Sequence, residues 1–191
     1  MSTSYQICIS GAAKGDSVTQ GKELVEKAAV AIAKAGHGLM TGATTGLPEI
    51  GARAYIKAGG KVSLGISPAG SKVEHVLKYH LPIDAYDVIL YTGLHYVGRD
   101  ALLINSADAV VSVGGRWGTM HEFAIAMETE TPVGLLQGAG GAGAEIEKLL
   151  DVLPLAHRKL VIIETDPDRL IAKITALLDK LHSPYRRLYS S

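Results

Sequence analysis

The sequence predicts a single-domain α/β fold, in which a Rossmann-like, mostly parallel sheet of about seven strands carries helices on both faces. Short β-branched runs alternate with helical patterns along all 191 residues, and this alternation is typical of a parallel sheet. The chain has no internal repeat and no linker long enough to separate two domains. One domain over residues 1–182 is therefore expected, followed by a C-terminal tail over 183–191.

The individual elements are predicted from apolar periodicity and from the turn residues that bound it. Strands are expected at 5–10, 39–41, 62–66, 87–91, 109–113, 132–137 and 160–164. Helices are expected around 24–32, ending at Gly36, then from Pro48 to Gly59, and at 73–79, 96–106, 118–130, 144–152 and 167–181.

The composition argues against a nucleic-acid or membrane partner. The 19 basic side chains equal the 19 acidic ones, and aromatic residues make up only 5% of the chain, so neither a basic surface nor a base-stacking platform is indicated. No apolar run reaches membrane-spanning length and the N-terminus lacks a signal-peptide layout, which favours a cytoplasmic location. No His/Cys cluster has metal-ligand spacing, so neither a metal nor a resident cofactor is expected.

The strongest functional signal lies in residues 106–122. Ala109–Val113 is a short apolar run typical of a strand buried on both faces. Gly114 and Gly115 end it, and a helical pattern opens at Gly118 and Thr119. A strand followed by a glycine-rich turn and a helix start exposes backbone N–H groups beside a positive helix end. The stretch therefore predicts a phosphate or anion site, although a plain βα turn explains the same pattern.

Other small-residue loops leave the same edge of the predicted sheet, where ligands of parallel sheets bind. The same topology brings Arg99 and Glu122 to this edge, each near the start of a helix. Arg116 and Trp117 suit closure over a phosphate and stacking on a base. The candidate phosphate- and nucleotide-binding residues are Gly11, Gly42, Thr44, Thr45, Gly114, Gly115, Arg116, Trp117, Gly118 and Thr119.

Several of these residues have structural alternatives. Thr119 and Glu122 have the spacing of a capping box, in which both satisfy free N–H groups at a helix start. Arg99 is equally suited to an ion pair on the surface, and Trp117 to a contact with a second subunit. Thr44 and Thr45 can instead stabilise their own turn. Gly138–Gly143 fits a dinucleotide loop with Glu164 as its ribose-binding acid. Too few residues follow Glu164 for the second half of that fold, and a glycine-rich linker explains the match.

The stretch Gly114–Glu122 resembles the P-G-G-x-G-T-x-x-E motif of the Lonely Guy (LOG) family, whose members are often mislabelled lysine decarboxylases. Residues 99–109 are similar to that family's R-K-x-x-M-x-x-x-A-D-A stretch. The resemblance implies cleavage of the N-glycosidic bond of a nucleoside 5′-monophosphate into base and ribose 5-phosphate. It also implies that Arg99 and Glu122 are the catalytic pair, that Gly115, Gly118 and Thr119 hold phosphate, and that the protein is a homodimer or larger homo-oligomer.

The sequence departs from the LOG pattern at several positions. Gly114 replaces the proline of the motif and Arg116 replaces its second glycine. Together with Thr92-Gly-Leu94 upstream, these changes resemble the related molybdenum-cofactor-carrier branch, whose members bind a phosphate-bearing pterin. The two resemblances therefore imply two functions: a nucleoside-monophosphate phosphoribohydrolase, or a non-hydrolytic binding or carrier protein for a phosphorylated cofactor or nucleotide.

Overall fold

A computed structural model describes residues 4–152 and 154–185. The seven strands form one parallel sheet in the order β4-β3-β2-β1-β5-β6-β7, which confirms the predicted fold class. Within the described part of the chain, no helix has the length and apolar character needed to cross a bilayer. Most of the predicted tail, residues 186–191, lies outside the described residues.

Strands and helices alternate along the chain as expected, except that two helices lie between β6 and β7. The strands are β1 Gln6–Gly11, β2 Gly38–Thr41, β3 Ser63–Ser67, β4 Val88–Tyr91, β5 Ala109–Val113, β6 Val133–Leu136 and β7 Val161–Glu164. The helices are α1 Asp16–Lys34, α2 Leu47–Lys57, α3 Lys72–Leu77, α4 His95–Asn105, α5 Trp117–Glu128, α6 Ala142–Leu149, α7 Leu155–Arg158 and α8 Pro167–His182. The short helix α7 was not predicted, because four residues are too few to show a helical period.

The central strands of the sheet are buried on both faces, and each face has its own core. Ile7 and Ile9 of β1 point to the layer formed by α1, α2 and α8, whereas Cys8 points to the layer formed by α4, α5 and α6. This alternation follows from the two-residue period of a strand. Burial raises the pKa of the Cys8 thiol well above its ordinary value, so the side chain is a neutral apolar residue of the core.

The strand order reverses between β1 and β5. The chain steps outward from β1 through β2, β3 and β4, then returns to pair β5 with the other side of β1. A parallel sheet with such a reversal has a crevice beyond the carboxyl ends of the two adjacent strands. Here that crevice is bounded by the loops that follow β1, β2 and β5, which carry the glycines identified in the sequence.

The loops after β1 and β2 are held together by a close backbone approach. Gly46, at the N-cap of α2, has a φ of 80°, and its neighbour Leu47 donates a backbone hydrogen bond to Ala12 at 2.9 Å. A Cβ atom at position 46 would lie 2.5 Å from the carbonyl oxygen of Ala12 and 2.6 Å from that of Ala13. Only glycine fits this contact without moving one loop.

We expect Gly46→Ala to destabilise the protein substantially more than Gly59→Ala. Both glycines have a φ of 80°, but a Cβ atom at Gly59 meets open space. In Gly59→Ala, the control, the free energy of unfolding is expected to fall only by about 1–2 kcal/mol, the cost of a side chain in the left-handed conformation. Gly46→Ala adds a collision with the backbone to this cost. Urea unfolding of the two variants measures the difference. Equal losses of stability would show that the two loops are not in contact.

Candidate functional site

A cavity of about 240 Å³ lies at the carboxyl ends of β1, β2 and β5. It is lined by eight of the predicted site residues: Gly11, Gly42, Thr44, Arg99, Arg116, Gly118, Thr119 and Glu122. Ser10 and Asp100, which the sequence analysis did not select as site residues, line it as well, and so does Tyr96. The structure therefore brings the predicted arginine, carboxylate and glycine loop together around one cavity.

Arg99 is the central cation of this cavity. It lies in the second turn of α4 and only 5% of its surface is exposed. Its Nη1 donates to Asp100 Oδ1 at 2.5 Å and to Glu122 Oε1 at 3.2 Å. Its guanidinium packs against the Cα of Gly42, where any Cβ atom would overlap it. The surface ion pair that the sequence allowed is therefore wrong, because both of its acidic partners are buried with it.

The Nε of Arg99 is a buried donor without a partner. Among the described residues no atom accepts a hydrogen bond from it. An unsatisfied buried donor costs free energy, and this cost is larger when the group is charged. The Arg99 side chain, which lines the cavity, therefore has a hydrogen-bonding capacity that its protein neighbours do not fully satisfy.

Glu122 lies in the cavity wall and does not cap its helix. Helix α5 begins at Trp117, its N-cap residue is Arg116, and no side chain caps it. The capping-box interpretation is therefore wrong, because Thr119 already lies inside the helix. Glu122 is 8% exposed, and its Oε2 accepts a short hydrogen bond from Ser10 Oγ. Burial raises the pKa of the Glu122 carboxyl, and the Arg99 charge opposes that shift.

Asp100 and His121 form a second pair beside Arg99 and Glu122. Asp100 Oδ2 accepts a hydrogen bond from His121 Nδ1 at 2.8 Å, so the carboxylate bridges the histidine and Arg99. Asp100 is buried, whereas 41% of the His121 side chain is exposed. Each helix contributes two consecutive residues, and together they form a two-rung ladder between α4 and α5. The sequence gives one signal for the second pair: Asp100 directly follows Arg99, and His121 directly precedes Glu122.

The glycine loop has the backbone conformation that its sequence predicts. Gly114 and Gly115 have φ values of 60° and 98°, in a region that favours glycine. A Cβ atom at Gly115 would collide with the Thr119 side chain. Gly118 and Thr119 belong to the first turn of α5, whose N–H groups lack acceptors within the helix. Both residues line the cavity, so this helix end faces the site.

The other four predicted residues lie outside the lining of this cavity. Gly114 is buried against Ser17 and Ala139, and Thr45 is half-buried in the loop before α2. Gly115 and Trp117 line a separate groove of about 580 Å³ between α5 and α6. Trp117 is 87% exposed there. Arg116 lines both the groove and the cavity.

The loop 138–143 supports the site from outside. The N–H of Ala142 donates to the carbonyl oxygen of Gly115 at 2.9 Å, which ties the two glycine loops together. Glu164, the acid that a dinucleotide site would require, is paired with Lys173 and Arg169. The Lys173 hydrogen bond holds the pKa of Glu164 below its ordinary value. This pairing favours the linker interpretation of the loop.

The sequence matches a known family model and a related protein. The model of the SLOG cluster4 family matches residues 4–171. An uncharacterized protein from Archaeoglobus fulgidus is 32% identical over 123 residues, which are 64% of this chain and 74% of that protein.

Two solved structures share the fold over most of their length. TM1055 is 25% identical with a TM-score of 0.77, covering 90% of this chain and 99% of its own. The molybdenum cofactor carrier protein from Chlamydomonas reinhardtii is 26% identical with a TM-score of 0.70, covering 92% and 99%. The matches support the SLOG cluster4 family, and membership of the LOG family itself stays a prediction.

We expect Arg99→Met to destabilise the protein by about 3–5 kcal/mol near neutral pH, because it leaves two buried carboxylates without their cation. The loss should shrink as the pH falls toward about 5: burial already raises the pKa of Glu122, and carboxyls with raised pKa values bind protons in the folded state. Urea unfolding at both pH values measures this. Arg53→Met is the control, since Arg53 makes exposed ion pairs with Glu49 and Asp84 and should lose little stability at either pH. A loss that does not depend on pH would contradict the prediction.

Proposed function

The chain belongs to the SLOG cluster4 family, and from that premise we propose that its cavity binds the phosphate group of a small phosphorylated molecule. The ligand class is a nucleotide or a phosphorylated cofactor. The protein acts on it as a binding or carrier protein. The observation that carries the proposal is the buried Arg99 guanidinium, which lines the cavity together with the first turn of α5.

The cavity wall supports a phosphate in particular. The guanidinium of Arg99 offers donors in a fixed fork, which matches phosphate oxygens. The first turn of α5 adds free N–H groups and the positive end of a helix. Gly42 has no side chain, and this leaves room for the guanidinium beside the cavity. Arg116 lies at the exposed start of α5 and adds a second positive charge at the rim.

The carrier interpretation is supported by one comparison. The Chlamydomonas reinhardtii protein is a molybdenum cofactor carrier, and the likeness covers nearly all of both chains. A phosphate-bearing pterin would use the same guanidinium and helix end as a nucleotide. A carrier needs no group that attacks the ligand, and both oxygens of Glu122 are already engaged by Arg99 and Ser10.

Hydrolysis of a nucleoside monophosphate is the second candidate, and the position of Glu122 favours it. The carboxylate lies in the same cavity wall as the phosphate donors. A carboxylate near C1′ of a bound ribose would stabilise the positive charge that develops as the base leaves, and it would orient water. In this role Arg99 would anchor the phosphate and keep the sugar in register.

We expect the wild-type protein to bind molybdenum cofactor, AMP or another phosphate monoester in a saturable way, and Gly42→Ala to weaken that binding at least about tenfold. The added methyl group displaces the Arg99 guanidinium, and a charged hydrogen bond contributes about 1.5–3 kcal/mol. Isothermal titration calorimetry measures the affinity. Gly143→Ala is the control, since a Cβ atom there meets open space.

The same samples separate the two candidate functions. Free base released from AMP or another monophosphate, and lost in Glu122→Gln, supports the hydrolase. Saturable binding without release supports the carrier. Absence of binding to every phosphate monoester would reject both.

We also propose that the protein forms a homodimer or larger homo-oligomer through α4. Apolar side chains are exposed along this helix: Val97, at 71%, and Leu102 lie on it, and Leu94 is its N-cap residue. Such a row of apolar side chains is typical of a surface that another chain covers. Arg99 and Asp100 lie on the buried side of the same helix, so an interface here would adjoin the site.

We expect light scattering to give the mass of a dimer or larger assembly for the wild-type protein and of a monomer for Val97→Asp. A charge at the centre of an apolar interface is left without water or a partner. Val62→Asp is the matched control, because Val62 is also exposed but lies next to the start of β3 rather than on α4. A monomeric wild-type protein would contradict the proposal.

A further inference from the structure

The ladder between α4 and α5 places two carboxylates on one guanidinium. Asp100 and Glu122 both accept a hydrogen bond from Nη1 of Arg99, and both line the cavity together with it. The buried part of the wall therefore carries one positive and two negative groups when both acids are ionised. A phosphate dianion that enters this cavity therefore competes with two carboxylates for the Arg99 guanidinium.

The second pair, Asp100 and His121, can change the net charge of the cavity wall. His121 Nδ1 donates to Asp100 Oδ2, because an ionised carboxylate has no proton to donate. The other ring nitrogen, Nε2, is then free to take a proton from solvent, since the side chain is 41% exposed. A protonated His121 keeps the same hydrogen bond and cancels the charge of Asp100. The positive charge of Arg99 then becomes available to the ligand.

We infer that Asp100 and His121 are a charge-setting pair that positions Arg99 and couples the binding of a phosphate or similar dianion to the uptake of a proton at His121. The inference rests on the proposed phosphate-binding function and adds a role for two residues outside the predicted site. Asp100 competes with the ligand for Arg99, and His121 relieves that competition when it is protonated. A ligand that stays a dianion is therefore bound more tightly at acidic than at basic pH.

Other titratable and charged groups surround the pair. They are Arg99 and Tyr96 of α4, Glu122 of α5, Arg116 at the helix start and Cys8 of β1. Burial raises the pKa of both Cys8 and Tyr96, so these two stay neutral near neutral pH. Glu122 is the other group that can take a proton, because burial raises the pKa of its carboxyl as well. The experiment must separate His121 from Glu122.

Sulfate is a suitable probe, since it stays a dianion throughout the range in which histidine titrates and a phosphate monoester does not. Its binding can be followed by NMR from the amide signals of Gly115, Gly118 and Thr119. We expect wild-type protein to bind sulfate about tenfold more tightly at about pH 5.5 than at about pH 8, the size expected when one nearby charge is removed.

Two variants test the pair separately. His121→Gln keeps a donor for Asp100 but cannot take a proton, so its affinity should stay at the weak, basic-pH level throughout. Asp100→Asn keeps the acceptor for Arg99 and removes the charge, so its affinity should already be at the tight level at about pH 8. His157→Gln, on α7, should behave like wild type and controls for the loss of a histidine elsewhere.

The outcomes distinguish this inference from the proposed function. No saturable shift in wild type with either sulfate or AMP would reject the phosphate site itself. Binding of equal strength at both pH values would reject only the coupling. A pH dependence that persists in His121→Gln would assign the proton to Glu122 and overturn the role given to His121. Weakened binding in Asp100→Asn would overturn the competition between Asp100 and the ligand.

Discussion

The burial of the Arg99 guanidinium is the constraint on which the rest of the site depends. A cation removed from water is tolerated only where charged partners and hydrogen bonds replace its hydration. Here the partners come from two helices: Asp100 from α4 itself and Glu122 from α5. The relative position of these helices is therefore tied to one side chain. The third side of the guanidinium is closed by Gly42, where no side chain intervenes.

The sheet explains why α4 can reach the site at all. Helix α4 follows β4, the edge strand farthest from the crevice, yet Leu103 and Ile104 pack in the same core as Cys8 of β1 and Met40 of β2. The helix thus lies back across the sheet toward its centre. This return puts Arg99 over the loop after β2 and opposite Glu122.

Much of this architecture was readable in the sequence. The seven strands, the long helices and the meeting of Arg99, Glu122 and the glycine loop at one edge follow from periodicity and from the topology of parallel sheets. The strand Ala109–Val113 was predicted with its observed bounds, because glycines end it abruptly. These features depend on the local pattern of residues and on the handedness of the connections in a parallel sheet, so they can be predicted from the sequence.

The remainder depends on side-chain directions that no local pattern specifies. The capping-box spacing of Thr119 and Glu122 is genuine, but the helix starts before Thr119, and this turns Glu122 inward. Asp100 was missed because its role arises only where α4 meets α5. Trp117 was grouped with the phosphate loop because of its position in the sequence. Successive side chains at the start of a helix point in different directions, and that of Trp117 lines the groove between α5 and α6 instead.

The hydrogen bond from Ala142 to Gly115 has a consequence for the thermodynamics of recognition. A glycine-rich loop that is free in solution loses conformational entropy when a ligand orders it, and that loss weakens affinity. In this protein a neighbouring βα loop already fixes the carbonyl of Gly115 before any ligand arrives. The turn at Gly115 is thus preorganised, and the entropy lost in fixing its conformation is lost on folding rather than on binding.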